Sequence, residues 1–364
     1  MTKHTKKFII LLIAVLLTAC AAVFFRLRTH LSTQTQPSGL AQTPAPDPAS
    51  LHIESYLRAS DVELDLSAAD FVPKSEDEIA LNPCQDLSVP TYVTKVDDTY
   101  FIVDCYHNQV IYSDNLESPL GSFHVMTDEI SLGHTLASDG LVYLVDDTEN
   151  NRILIFEKQD GIFYHTQTFS DIGNRPHYII YNEADATFYV WSSMNGEMYL
   201  MRHNPQDSRM YLTEICTVSE LADTYVRSFT ILDDQIFFVS GIPGEAAIRQ
   251  ADLDTFRIHT TYPVPDSMAG MIQLTRIQDY YYITVSTDIN GSQDSATLVR
   301  VKDLADLSKG RYEDIYASFV GGGTPYYITQ IDDCYYLTEH RLPGHSIWSF
   351  RVTDNELCDV KALY

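Results

Sequence analysis

One aromatic position recurs six times along the chain at nearly constant spacing. Each instance lies in a short run of β-branched and aromatic residues, such as Val142-Tyr143-Leu144-Val145. The six aromatic residues, 42, 45, 49, 45 and 54 residues apart, are Phe101, Tyr143, Phe188, Phe237, Tyr282 and Tyr336. A polar turn and another candidate strand precede each run, and a third strand follows it. The repeat is therefore a unit of antiparallel strands with no room for a helix.

The repeat length and strand count predict the fold. Units of about 45 residues with four strands are typical of propeller blades, and such a unit buries both faces of its sheet only by stacking on its neighbours. We predict an all-β fold, a six-bladed β-propeller with four-stranded blades over residues 87–364. The last unit has its own candidate fourth strand at 358–362, so the ring can close without a borrowed strand. Residues 51–86 form an N-terminal extension that adds an outer strand or lies across one face.

The N-terminal segment predicts that the protein is attached to a membrane. A basic cytoplasmic stub at 1–7 precedes residues 8–25, which carry no charged side chain and are near the shortest length for a helix that spans a bilayer. We favour an uncleaved signal anchor. The alternative is a lipoprotein, because Leu17-Thr18-Ala19-Cys20 resembles the bacterial lipobox, in which the cysteine is lipidated; ordinary signal cleavage is a third reading. All three place the rest of the chain on the extracytoplasmic side of a bacterial-type cell membrane.

The composition after this segment describes a tethered acidic domain. Residues 26–50 are rich in Pro, Ser and Thr, which is the composition of a disordered tether. The first 28 residues hold five basic and no acidic side chains, so the remainder holds 19 basic and 50 acidic residues, a net charge of −31. Such a body is repelled by nucleic acid and by anionic lipid. We therefore expect no nucleic-acid partner.

The cysteines do not predict a disulfide framework or a zinc site. Five lie after the apolar segment, so at least one is unpaired within a monomer. One interpretation is a disulfide between Cys84 and Cys105. The equal alternative is that all five cysteines are separate core residues. No Cys or His spacing matches a structural zinc site.

Two repeats resemble a known family. The run from Val145 to Phe156, VDDTENNRILIF, is similar to the NHL-repeat consensus of Asp, a short turn, Asn-His-Arg and an apolar strand, and the run from Val103 to Tyr112 is a weaker copy. The other blades depart from the Asp column. The resemblance implies six-bladed geometry. NHL-like propellers include protein binders, RNA binders, lactonases and a metal-dependent lyase, so it leaves the function open.

Candidate functional residues gather where the innermost strands begin, because ligand sites of propellers usually surround that mouth of the central channel. The innermost-strand column consists of Tyr92, His134, His177, Ser228, Gln273 and Tyr327, with Arg175 and Arg227 beside it. Loops expected on the same face carry His107, Asp147, Glu149, Asn195, Asp288, Asn290, Arg341 and His345. His134 and His177 come from adjacent blades, so one interpretation is that they share a divalent metal ion or an anion. The alternative is that they belong to an ordinary polar channel lining.

Three functions remain open at this stage. We favour a non-catalytic binding module, without a cofactor, that presents a propeller face to a cell-envelope protein, peptide or glycan, because no catalytic constellation is visible in the sequence. A metal-dependent lyase or lactonase centred on His134 and His177 is the first alternative. A scaffold of an envelope complex that uses the blade edges is the second.

Overall fold

The computed structural model describes residues 61–63, 79–204, 208–241, 246–320, 323–340 and 346–364. Within these ranges the chain forms six antiparallel sheets, one for each sequence repeat, and no α-helix. The predicted six-bladed β-propeller with four-stranded blades is confirmed. The anchor segment 8–25, Cys20 and the tether 26–50 lie outside the described residues. In the described part of the chain, no helix is long and apolar enough to cross a bilayer.

Each blade uses four strands that are consecutive in the chain, and one extra strand, β1 (Asp61–Glu63), precedes them. Blade 1 consists of β2 (Pro90–Val96), β3 (Thr99–Asp104), β4 (Gln109–Ser113) and β5 (His124–Thr127), and blade 2 of β6 (Leu136–Ser138), β7 (Val142–Asp147), β8 (Arg152–Gln159) and β9 (Ile162–Phe169). Blade 3 consists of β10 (Pro176–Asn182), β11 (Thr187–Ser192), β12 (Glu197–His203) and β13 (Met210–Thr217), and blade 4 of β14 (Val226–Leu232), β15 (Gln235–Ser240), β16 (Ala247–Asp252) and β17 (Ile258–Pro263). Blade 5 consists of β18 (Gly270–Ile277), β19 (Tyr280–Thr287), β20 (Thr297–Val301) and β21 (Glu313–Asp314), and blade 6 of β22 (Thr324–Ile331), β23 (Cys334–His340), β24 (Ile347–Thr353) and β25 (Glu356–Ala362).

Short 3₁₀ helices occupy several of the loops. They are Cys105–His107, Leu120–Ser122, Thr148–Asn150, Ser219–Leu221, Asp266–Met268, Gln293–Ser295, Leu304–Lys309 and Tyr316–Ser318.

The hydrophobic core is divided into layers between neighbouring blades. In blade 2, Val142 and Leu144 pack against blade 3, whereas Tyr143 and Val145 pack against blade 1. Successive side chains of a strand point to opposite faces of the sheet, and each blade is covered on both faces. This double burial explains why the second strand of each blade is an uninterrupted apolar run in the sequence.

The recurring aromatic position belongs to these layers. Phe101, Tyr143, Phe188, Phe237 and Tyr282 are buried, and Tyr336 in the last blade is half-buried. Phe101 and Tyr143 lie in one core, with ring centroids 5.6 Å apart. The spacing of the aromatic position thus reflects one large side chain per blade that fills the space beside a neighbour.

The N-terminal extension contributes backbone pairing to the outer edge of the ring. The strand β1 pairs antiparallel with β9, so the sheet of blade 2 has five strands. Farther along, Leu81 forms an isolated bridge with His124, and the buried Asn82 donates its side-chain N–H to the carbonyl of Leu120. The extension therefore covers edges of blades 1 and 2.

The ring closes without a strand exchanged between the first and last blades. Blade 6 ends with its own fourth strand, β25, as the sequence predicts. The C-terminal Tyr364 then reaches blade 1, where its hydroxyl donates to the carbonyl of Ser118 at 2.5 Å. Lys361 forms an ion pair with Glu117 at 2.6 Å across the same junction. Packing and these polar contacts close the ring.

Around the central channel, polar side chains join every blade to the next one. We call these contacts the inner belt. They are Thr91 Oγ1 to His134 O (2.9 Å), Ile179 N to Thr135 Oγ1 (3.1 Å), His177 Nδ1 to Arg227 O (3.1 Å), Ser228 Oγ to Ile272 O (2.6 Å), the amide of Gln273 to Ile328 N (2.6 Å) and O (3.1 Å), and Thr338 Oγ1 to Thr91 O (2.8 Å). Each satisfies a backbone group of the neighbouring blade that its own sheet does not pair at that point.

We expect Gln273→Ala to lower the free energy of unfolding by roughly 2–4 kcal/mol, because the N–H and C=O of Ile328 lose a buried partner together. Gln330→Ala is the matched control, since Gln330 is exposed and its side chain donates to the carbonyl of Asp332 in the adjacent turn, and it should change stability by less than about 0.5 kcal/mol. Urea denaturation of both variants measures the difference. Equal stabilities would contradict a supporting role for the inner belt.

Candidate functional site

Backbone irregularities at the starts of the innermost strands aim side chains into the channel. The pairing of the first two strands shifts register between Pro90 and Tyr92, between Pro176 and Tyr178, and between Val226 and Ser228, with similar shifts in blades 5 and 6. A bulge leaves the intervening residue outside the ladder and re-aims it. The intervening residues of blades 1, 3, 4 and 6 are Thr91, His177, Arg227, Tyr326 and Tyr327.

The upper channel is filled by a stack of aromatic rings. The imidazoles of His134 and His177 are stacked with centroids 3.9 Å apart and planes 20° apart. The ring of Tyr326 is nearly parallel to that of His134 with centroids 5.7 Å apart, and the ring of His340 lies 4.7 Å from Tyr326. The Tyr326 hydroxyl lies 3.1 Å from His134 Nδ1 and 3.4 Å from His177 Nε2. These contacts tie blades 2, 3 and 6 together at the axis.

A second set of tyrosines lies next to this stack. The Tyr327 hydroxyl lies 3.2 Å from His177 Nδ1, and the Tyr327 ring packs against Tyr92 at 6.0 Å and Tyr178 at 5.0 Å. Gln273 donates to the Tyr178 hydroxyl at 3.3 Å. The predicted column residues Tyr92, His177, Gln273 and Tyr327 are thus brought together, and they fill the channel with contacts to one another.

The buried rings are held in their neutral forms. Burial, together with the charges of His177 and of Arg175, lowers the pKa of His134 well below its usual value. Burial and the charges of Arg227 and Arg175 lower the pKa of His177 to about 3. Burial also raises the pKa of Tyr327 well above 10.0. At neutral pH His134, His177 and Tyr327 are therefore uncharged.

The geometry of the two histidines does not suit a shared metal ion. The lone pairs of imidazole lie in the ring plane, and a zinc ligand nitrogen is about 2.0–2.1 Å from its metal. Two nearly parallel rings 3.9 Å apart hold their lone pairs in two separate planes, so a metal ion in the plane of one ring is out of the plane of the other. His177 also directs Nδ1 at the carbonyl of Arg227, so this nitrogen carries the proton. Within the described ranges, no group of three or more His, Cys, Asp or Glu is arranged to hold a metal ion.

The positive charges lie at the mouth of the channel, on the face where the innermost strands begin. Arg175 directly precedes β10 and has a positive φ of 62°, a strained conformation for a non-glycine residue. The backbone N–H and the hydroxyl of Ser193 fix it by donating to its carbonyl, both at 2.9 Å. Its guanidinium pairs with Glu149. Arg227 donates to Ser286 Oγ at 2.7 Å and lies over the ring of Tyr225 at 5.2 Å.

Most of the predicted loop residues stabilise their own loops. His107 pairs with the buried Asp104 at 2.6 Å. Asp147 accepts from Asn150 and pairs with Arg152. The remaining residues do not converge on the mouth through any described contact: Asn195 bonds Glu197, Asp288 accepts the N–H groups of Asn290 and Ser292, and Arg341 and His345 lie outside the described residues.

The Asp column of the two NHL-like repeats has a structural role. Asp146 is buried and accepts the backbone N–H groups of His134 at 2.9 Å and Thr135 at 2.6 Å. Asp104 does the same for Ser88 at 2.7 Å. Each carboxylate fixes the segment that leads into the innermost strand of its own blade. The five described cysteines, Cys84 and Cys105 among them, are free thiols, so no bridge forms there.

Tyr326, Tyr225 and Ser286 were not among the residues predicted for the site. Tyr326 precedes the predicted Tyr327, and a plain two-residue alternation would place only one of them toward the axis. The sequence signal that could have found it is Pro325, because proline at the start of a strand is compatible with a bulge. Tyr225 and Ser286 both contact the side chain of Arg227. Sequence spacing does not predict these contacts, because they depend on the direction in which the Arg227 side chain extends.

Comparison with known proteins shows the fold. No protein-family model matches the chain, and no curated protein matches its sequence. The chain is similar to hydrazine synthase of Kuenenia stuttgartiensis, with a TM-score of 0.52 and 14% identity over 77% of this chain and 80% of that one. It is also similar to a streptogramin B lyase, with a TM-score of 0.51 and 15% identity over 77% and 85% of the two chains.

A third similar structure is a protein of Bacteroides fragilis described as a 6-phosphogluconolactonase. Its TM-score is 0.53 and its identity 13%, over 76% of this chain and 84% of that one. At such identities the likeness supports the propeller fold alone. Membership of the NHL-repeat family stays a prediction from two blades.

The buried histidines predict an acid-sensitive fold. The pKa of His177 is lower in the folded than in the unfolded chain, about 3 against 6.5, so the unfolded chain takes up a proton first as the pH falls. The stability present above about pH 6.5 is then lost progressively as the pH falls toward about 3. Between about pH 6.5 and pH 5, the titration of His177 alone should lower the free energy of unfolding by about 2 kcal/mol.

His177→Gln tests this expectation, because glutamine keeps an N–H donor for the Arg227 carbonyl but does not titrate. Urea unfolding at about pH 7.5 and about pH 5 should show a smaller loss of stability for the variant than for the wild type. Burial raises the pKa of Asp146 to about 7, which acts in the opposite direction in both proteins and cancels in the comparison. Parallel pH profiles would contradict the assignment. The control is His259→Gln, at a position in the exposed β17 edge strand.

Proposed function

We propose that this chain is a non-catalytic binding module that presents the mouth face of its propeller to a partner in the cell envelope. The observation that carries the proposal is the filled channel. Nδ1 of His134, both ring nitrogens of His177 and the hydroxyls of Tyr326 and Tyr327 have hydrogen-bond partners within the protein. A ligand would meet the rim of the mouth, where the charged side chains are.

The rim has features of a recognition surface. Tyr106 lies in the loop between β3 and β4 on the mouth face and is 61% exposed. Val320, in the connection that leads to blade 6, is 56% exposed. Arg175 and Arg227 add charge nearer the axis. Exposed aromatic and arginine side chains are enriched in protein interfaces. We favour a protein or peptide partner on these grounds.

The proposed location rests on the sequence. The apolar segment 8–25 would hold the chain at the membrane, either as a helix or through Cys20, and the tether 26–50 would give the propeller reach on the extracytoplasmic side. The net charge of −26 argues against a nucleic-acid partner. We favour the binding module over the lyase and lactonase alternatives, because the stacked histidines hold their lone pairs in separate, nearly parallel planes.

Crosslinking on intact cells tests the location and the face together. The full chain would be expressed with either Tyr106→Lys on the mouth face or Leu141→Lys on the opposite face, where Leu141 is 47% exposed in the turn between β6 and β7. With a crosslinker that does not cross membranes, we expect wild type and Leu141→Lys to give the same crosslinked envelope protein. Tyr106→Lys should reduce that product at least tenfold, as expected for loss of a central interface aromatic worth about 2 kcal/mol.

Each other outcome contradicts part of the proposal. Equal crosslinking by both variants would favour a scaffold that binds through its blade edges. Loss only with Leu141→Lys would move the binding surface to the opposite face. A product that forms only after cell lysis would show that the propeller is not extracytoplasmic.

A further inference from the structure

The chain contains two Asn-Gly dipeptides, Asn195-Gly196 and Asn290-Gly291, and the fold places them in opposite environments. In such a dipeptide the backbone nitrogen of glycine can attack the side-chain carbonyl carbon of asparagine, because glycine has no Cβ that shields this nitrogen. The attack requires both residues to rotate. The local structure therefore decides which of the two dipeptides reacts.

The dipeptide Asn290-Gly291 is exposed in the loop between β19 and β20. A Cβ at Gly291 would meet no heavy atom of the described residues within 4 Å. The backbone N–H of Asn290 donates to Asp288 Oδ1 at 2.8 Å, and the N–H of Gly291 donates to the carbonyl of Asp288 at 3.0 Å. Hydrogen bonds that water can replace contribute little net stability, so the Gly291 nitrogen is freed at low cost.

The dipeptide Asn195-Gly196 is fixed by its neighbours. Gly196 is buried, and a Cβ at this position would lie 2.7 Å from both the carbonyl oxygen of Val218 and the nitrogen of Ala222. The carbonyl of Gly196 also accepts the Val218 N–H at 2.7 Å. The side chain of Asn195 donates to Glu197, and its Oδ1 is buried. Rotation here would displace the backbone that leads into blade 4.

We propose that Asn290 is a site of spontaneous deamidation, with water as the co-reactant, and that the fold protects Asn195 from the same reaction. The proposal does not depend on the proposed function. It concerns a covalent change that the protein undergoes without an enzyme.

The reaction balances without oxidation or reduction. The Gly291 nitrogen loses its proton and forms a bond to Asn290 Cγ, and the bond from Cγ to Nδ2 breaks as ammonia leaves with that proton. Water then opens the resulting five-membered succinimide at one of its two carbonyl carbons. Opening at Cγ gives aspartate, and opening at the main-chain carbonyl gives isoaspartate. One water is consumed and one ammonia is released.

Either product changes the mouth face of the propeller. The loop lies there, because the N–H of Ile289 donates at 2.8 Å to the carbonyl of Asp266, in the turn that leads into the innermost strand β18. Both products add a negative charge beside Asp288. Isoaspartate also adds one atom to the main chain between residues 290 and 291. The hydrogen bond from Ser292 N to Asp288 Oδ1, 2.8 Å long, then loses its geometry, so isoaspartate loosens the loop.

Incubation of the full-length protein in detergent and mildly alkaline buffer tests the inference. Mass spectrometry of protease peptides follows the amide-to-acid conversion at both dipeptides, and protein isoaspartyl methyltransferase quantifies isoaspartate. We expect conversion at Asn290 at least about tenfold faster than at Asn195, a difference of about 1.4 kcal/mol in the barrier, with isoaspartate among the products. In denaturing urea the two dipeptides should react at similar rates, because the environments that distinguish them are gone.

Three variants separate the chemistry from the fold. Gly291→Ala places a Cβ beside the attacking nitrogen and should slow conversion at least about tenfold. Because the φ of 77° at Gly291 strains alanine, Asn290→Gln is a second variant that keeps the glycine; its longer side chain requires a six-membered ring, and it should stay unmodified over the same period. Asn290→Asp adds the charge alone. Hydrogen–deuterium exchange at Ser292 should match the wild type in Asn290→Asp and be faster in the isoaspartate form.

Equal conversion of Asn290 and Asn195 in the folded protein, whether fast or slow, would overturn the inference. Aspartate formed at Asn290 without isoaspartate would contradict the succinimide route. Equal exchange at Ser292 in the isoaspartate form and in Asn290→Asp would contradict the loosened loop. No partner takes part in these measurements, so they stand or fall separately from the Tyr106→Lys crosslinking result.

Discussion

The propeller fold depends on hydrogen bonds to the backbone groups of the innermost strands, where six sheets meet around one axis. Each blade starts its innermost strand close to the next blade, and the free edge of that strand, with its bulges in five of the blades, leaves backbone groups without a partner in their own sheet. The inner belt supplies those partners from Thr, Ser, His and Gln side chains, one connection at each of the six junctions. An unpaired buried backbone group costs about 1–3 kcal/mol, so the polar channel lining is a structural requirement.

This requirement divides the polar residues of the channel into two groups. His177, Ser228 and Gln273 are bound to the backbone of a neighbouring blade, which accounts for their polarity without a ligand. Arg175 and Arg227 instead use their side chains outside the inner belt, where the guanidiniums contact Glu149 and Ser286. The deep polar residues therefore serve the fold, whereas the two arginines lie outside the inner belt.

The sequence predicts the architecture better than the site. The aromatic position and the turns before it identify six blades because one large residue per blade must fill each interblade layer. Prediction of the site fails where the backbone departs from the regular alternation of side chains along a strand. Tyr326 enters the axis beside Tyr327 through a bulge in β22, and no residue pattern fixes the register of a bulge by itself. Stacking of His134 on His177 likewise depends on the rotation between blades, which sequence spacing does not specify.

The central claim is that the inner belt keeps the channel closed in the folded protein. Hydrogen–deuterium exchange at the amides of Ile179 and Ile328 measures this most directly, because these N–H groups donate hydrogen bonds to the side chains of Thr135 and Gln273 in neighbouring blades. The account predicts exchange only through global unfolding, with an exchange free energy equal to that from urea denaturation. Rapid exchange of these two amides in the folded protein would show that the channel opens to water and would contradict the account.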